Sequence, residues 1–154
     1  MTASPHDIAR QGDLSTMENK LADGLDPNLV DARGFSLLMI AAYSNQTAMT
    51  RLLLKGGAQA DIKDARGNTP LMGMAFKGHL EPSKALLEHG ADVNFSNAEG
   101  TTPLMMCAMF GQIELAKLLV EYGADKSLVD VQGKSALDHA SAKSLEEPFL
   151  ATFR

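Results

Sequence analysis

Apolar and polar residues along this chain recur with a period of 33 positions. Leu38, Leu71, Leu104 and Leu137 share one register, each two residues after a hydroxyl side chain at Ser36, Thr69, Thr102 or Ser135. A second apolar run follows in each inner block: Leu52-Leu53-Leu54, Leu86-Leu87 and Leu118-Leu119-Val120. Between blocks the polar turn Asp31-Ala32-Arg33-Gly34 returns as Asp64-Ala65-Arg66-Gly67, Asn97-Ala98-Glu99-Gly100 and Asp130-Val131-Gln132-Gly133. A period in this range marks stacked supersecondary units, each unable to bury its apolar face alone.

The pattern predicts two helices per block. Ser36, Thr69, Thr102 and Ser135 are of the type whose oxygen accepts from the free N–H groups of a first helical turn. Pro70 and Pro103 follow at the first helical position, where a missing N–H is harmless. The first helix should end at Asn45, Gly78 and Gly111, and the second at Gly57, Gly90 and Gly123, residues that tolerate a left-handed backbone. Pro82 and Pro148 fall in the first turn of a second helix, which proline tolerates. Small residues at Ala41, Ala42, Ala75 and Ala108 would let neighbouring helix pairs approach closely. The blocks divide as 1–30, 31–63, 64–96, 97–129 and 130–154. The terminal two are shortened, and the polar start of the first and Asp138 in the last are expected of capping units with one face in water.

Asn68-Thr69-Pro70-Leu71, Thr101-Thr102-Pro103-Leu104 and Leu86-Leu87-Glu88-His89-Gly90-Ala91-Asp92-Val93-Asn94 resemble ankyrin repeats. The resemblance extends over nearly the whole chain. It implies an all-α solenoid of about five stacked helix-turn-helix repeats with hairpin-like loops, and protein–protein recognition through a concave groove. In that family the groove is built from the hairpin tips and the outer positions of the first helix. Carried onto this chain, the tips supply Arg33, Phe35, Arg66, Asn68 and Glu99, and the first helices supply Tyr43, Phe76, Lys77, Met109 and Phe110. His89 and Tyr122, near the ends of second helices, would border the same groove. The resemblance also likens Asn94 to the asparagine that asparaginyl hydroxylases modify in ankyrin proteins.

Aromatic placement sharpens that expectation. The chain has six Phe, two Tyr and no Trp. Five of these rings, Phe35, Tyr43, Phe76, Phe110 and Tyr122, fall in the groove set. A contiguous apolar patch on a protein surface commonly marks an interface, and Tyr and Arg are enriched among binding hot spots. The competing reading has these rings packed sideways between neighbouring first helices, out of a partner's reach.

Composition removes several function classes. With 45% hydrophobic and 21% charged residues the chain falls in the globular range. Net charge is −5 without a lysine or arginine cluster, which argues against nucleic-acid binding. No leader-like apolar stretch opens the chain, and no run approaches the roughly 20 apolar residues of a membrane span. A single cysteine, Cys107, excludes an internal disulfide and fits a reducing cytoplasm.

Catalytic chemistry finds no constellation. Cys107 takes the register position of Ala41 and Ala140 and is expected to be buried. His6, His79, His89 and His139 lack the i,i+4 pairing of a helical metal site, and no phosphate-binding glycine loop or nucleophile elbow occurs. The Asp/Asn column at the block starts is expected to bond its own turn backbone. A calcium ion needs ligands within about 2.5 Å, whereas successive blocks are roughly 10 Å apart. The expectation is a cytoplasmic, monomeric, non-enzymatic adaptor or inhibitor without cofactor or metal. The resemblance leaves an alternative, a cognate partner or immunity-type protein of a specific bacterial enzyme or toxin, such as the ankyrin proteins associated with catalases; a third reading, an enzyme hidden in the array, has no acid–base constellation behind it.

Overall fold

The computed structural model describes residues 2–154, whose elements are helices joined by turns. In each block from the second onward a first helix follows the hairpin turn and a second returns beside it; the first block opens directly on its first helix. The pairs are α1 (Pro5–Gln11) with α2 (Leu14–Ala22), α3 (Leu37–Tyr43) with α4 (Thr47–Lys55), and α5 (Pro70–Lys77) with α6 (Leu80–Glu88). They continue with α7 (Pro103–Phe110) and α8 (Ile113–Glu121), then α9 (Ala136–Ala142), the short α10 (Glu147–Leu150) and a 3-10 turn, Ala151–Phe153.

Packing follows the repeat. First helices touch first helices in the order α1, α3, α5, α7, α9, and second helices form a parallel layer in the order α2, α4, α6, α8. The core lies between the layers: Leu38, Met39, Leu71, Met72, Leu104 and Met105 from one side, Leu53, Leu86 and Leu119 from the other, all essentially sealed from solvent. The small residues Ala41, Ala42, Ala75 and Ala108 are fully buried at the close helix–helix contacts.

Local signals explain where each element starts. Ser36 accepts from the Met39 N–H at 3.1 Å, and Thr69, Thr102 and Ser135 cap their helices in the same way. Asp138, expected as a mark of a terminal unit, has a more specific task. It accepts the Ser135 N–H at 2.8 Å and completes a reciprocal cap on α9.

The turn column bonds its own backbone as expected. Asp31 Oδ1 accepts from the N–H groups of Arg33 and Phe35, each at 2.9 Å, and Asp64, Asn97 and Asp130 repeat this pattern. The hydrogen bond from Phe35 holds the Asp31 carboxyl below its usual range. Gly34, Gly67, Gly100 and Gly133 then turn the chain at φ between 74° and 83°, a region that disfavours any residue with a Cβ.

Side chains also tie each block to the next. Gln46 and His79, one period apart, donate from Nε2 to the carbonyls of Arg10 and Tyr43 in the preceding first helix, each at 3.1 Å. Asn28 and Asn94 accept the N–H groups of Gln59 and Asp125 in the following block, at 2.8 and 2.7 Å. Asn94 thus carries a structural bond at the position likened to a hydroxylation site.

Candidate functional site

The face formed by the hairpin tips and first helices carries two adjoining hollows. The first, of about 600 Å³, lies over α3 and α5. Arg33, Phe35, Arg66 and Asn68 enter it from the tips, and Tyr43, Phe76, Lys77 and Phe110 from the first helices. The second, of about 570 Å³, is lined by Glu99 and Met109 and shares Arg66, Asn68, Met106 and Phe110 with the first. Sharing those four residues makes the two hollows one continuous groove. Ten of the twelve residues expected at the groove therefore line it.

His89 and Tyr122 do not. They stand at the C-terminal ends of α6 and α8, in the second-helix layer, and line neither hollow. The His89 Nδ1 donates to the Ala85 carbonyl one turn back at 2.8 Å, a bond within its own helix end.

The rings divide into two groups. Phe76 and Phe110 are 55% and 45% exposed and meet edge to face, with centroids 5.1 Å apart and planes at 85°. Neither is needed to close the core. Phe35 and Tyr43 are half-buried and also meet edge to face, at 6.5 Å. Tyr43 packs sideways across the α5 backbone at Gly73 and still forms part of the groove floor. Burial pushes its hydroxyl above the usual phenol range, and the nearby Asp64 charge adds to this.

Cations sit against the half-buried rings. The Arg33 guanidinium is 5.3 Å from the Phe35 centroid, and the Lys77 ammonium is 5.9 Å from that of Tyr43, both within cation–π range. Arg10 also lines the first hollow. The sequence reading missed it, although Arg10 stands one period before Tyr43, and registering the first block on the others would have found it. Gly73 was missed too. Its signal was the contrast with Ile40 and Met106 at the same register, side chains that would fill the space above α5.

The remaining candidates for chemistry resolve into structural bonds. Cys107 is fully buried in α7, and burial pushes its thiol far above the ordinary range. The Nε2 atoms of His6 and His139 donate to the Phe35 carbonyl at 3.1 Å and to Asp130 at 2.8 Å. Among the described residues no group of three His, Cys, Asp or Glu side chains is placed to hold a metal ion. No helix of the described residues is long and apolar enough to cross a membrane.

Comparison with known proteins adds an independent line. The family model for ankyrin repeats (3 copies) matches residues 6–97 and again 71–148. A curated relative described as an ankyrin repeat protein, from Pseudomonas aeruginosa, is 46% identical over 46 residues, which is 30% of this chain and 27% of that protein. The match thus spans little more than a quarter of the relative's length. With an unbroken repeat of helix pairs and a family model matching well over half its length, the chain belongs to the ankyrin repeat family.

Proposed function

We propose that this protein acts by binding a protein partner in the groove, as a non-catalytic adaptor or inhibitor. Ankyrin repeats are generally protein–protein interaction modules. The observation that carries the reading is the Phe76–Phe110 pair: two large apolar rings left half-exposed at the centre of a groove, at positions the core does not require. The mechanism is pre-organisation. A stack whose blocks are tied by Gln46, His79, Asn28 and Asn94 holds the rings in place before a partner arrives, so little conformational entropy is lost on binding. An interface of about 800 Å² per partner fits on three to four blocks. On this reading the chain works as a cytoplasmic monomer, with the first and last blocks capping the stack.

The test separates binding from folding. A partner captured from an extract of the source cells would be purified and titrated against wild type, Phe76→Ala, Phe110→Ala and an outer-face control, Glu114→Ala. At least one groove variant should lose about 2 kcal/mol of affinity, near thirtyfold, while the control binds as wild type. A partner indifferent to both phenylalanines would overturn the groove assignment.

A further inference from the structure

Charge is distributed against the sign of the whole protein in the first hollow. Net charge is −5, yet the hollow is lined by Arg10, Arg33, Arg66 and Lys77 and by no Asp or Glu. Asp7 engages Arg10 at 2.6 Å. Among the described residues no carboxylate lies within ion-pair distance of Arg33, Arg66 or Lys77. The acids beside them in sequence, Asp31 and Asp64, are absent from the lining, and each gives one oxygen to two N–H groups of its own turn. Three exposed cations and two exposed phenylalanines therefore share one hollow.

Resting on the groove reading above, we propose that the occupant of the first hollow is an acidic segment of another protein. Its carboxylates meet Arg33, Arg66 and Lys77, and an apolar side chain between them packs on Phe76 and Phe110. Guanidinium groups match carboxylates in planar two-bond geometry. Arg33 and Lys77 stand over the rings of Phe35 and Tyr43, which line the same hollow. Successive tips are roughly 10 Å apart, and three residues of a polyproline II segment, at about 3.1 Å each, cover nearly that distance and bring the side chain back to the same face. Carboxylates three residues apart would thus meet Arg33 and Arg66 together. The second hollow carries Glu99, so the demand for acidity falls there. A nucleic-acid strand fits less well, because phosphates need cations along the whole track.

The experiment is selection from a displayed random peptide library against the immobilised full chain, with parallel selection against the Phe76→Ala/Phe110→Ala variant. Peptides enriched on wild type alone are synthesised and titrated by fluorescence anisotropy. The expected peptides carry two or more Asp or Glu around an apolar residue. Their affinity should fall about tenfold in the charge-reversed Arg33→Glu/Arg66→Glu protein and fall with rising salt, as partly exposed ion pairs require. Melting curves should show that variant folded, since both arginines are exposed. Groove-dependent peptides that are neutral or basic would overturn the acidic occupant and leave the groove reading standing. Recovery of no groove-dependent peptide would count against both. Groove-dependent binding of labelled oligo-dT, with no acidic peptide enriched, would overturn the choice of a protein ligand.

Discussion

The ring of Tyr43 occupies the space a side chain at Gly73 would need: a Cβ built on Gly73 would stand 2.7 Å from both Cζ and Oη of Tyr43. The neighbouring blocks place Ile40 and Met106 at this register. A glycine inside a helix loses about 1 kcal/mol relative to alanine, so the pairing replaces helix propensity with contact between blocks. Gly73→Ala should destabilise the protein by about 1–3 kcal/mol, the usual range for overpacking. In a Tyr43→Ala background the same change should be neutral or stabilising. Urea denaturation of the four proteins of this cycle measures the coupling, and additive effects would refute it.

Phe76 and Phe110 meet edge to face at 5.1 Å and remain about half exposed. Edge-to-face pairs contribute about 0.5–1.5 kcal/mol beyond area burial. Each single alanine variant should therefore lose about 1 kcal/mol, and the double variant less than the sum by roughly the pair term. Losses of about 3–5 kcal/mol for either single change would mark the rings as core.

Asp61 stands where Asn28 and Asn94 stand one block to either side. Both of its oxygens accept the Asp92 N–H at 3.1 Å. Burial raises its carboxyl above the ordinary value, the Asp92 hydrogen bond opposes this, and the Asp92 charge adds to the rise. A folded pKa above the unfolded value near 3.8 means that this group's contribution to stability is complete below that pH and is lost as pH rises through the folded value. Asp61→Asn keeps an acceptor and removes the charge. It also adds an amide donor, which at Asn94 reaches the Gly123 carbonyl at 3.4 Å. The variant should be more stable than wild type at pH 7 by a few tenths of a kcal/mol, small because water screens a half-exposed group. The difference should shrink toward pH 3. Denaturation midpoints at both pH values check the sign, and a variant less stable at pH 7 would contradict it.

Phe153 closes the last block. Although it is one residue from the end of the chain, it is almost fully buried, and it packs on Phe149 with centroids 5.0 Å apart. Phe153→Ala should destabilise by about 3–5 kcal/mol, as large-to-small core changes do. Deleting residues 130–154 should go further. It would uncover Leu104 and Met105 and produce aggregation or partial unfolding, visible by light scattering and circular dichroism. A truncated protein that stays monomeric and equally stable would remove the capping role of the last block.

Cys107 should be inert in the native state, because burial disfavours the thiolate that would react. Maleimide labelling should proceed only in denaturant. Chelator and reductant should leave the melting curve unchanged; a large shift with either would reopen the reading of Cys107 or the histidines.

The repeat, its helix pairs and their boundaries were legible in the sequence because the requirements behind them are local. A hydroxyl at Ser36 or Thr69, an Asx residue at Asp31 or Asp64 and a glycine three residues later act on backbone within five positions, and they recur at one spacing. Ten groove positions followed from the same register. Only the tertiary structure decided what each ring does there. Tyr43 and Phe76 occupy the same register, yet one lies across Gly73 as floor and the other stands exposed against Phe110. Arg10 joined the lining, while His89 and Tyr122 line neither hollow. Those outcomes depend on the neighbouring blocks, and a missing side chain at Gly73 changes the packing of a residue thirty positions away. Local pattern carries no record of such contacts; the stacking of one block on the next creates them.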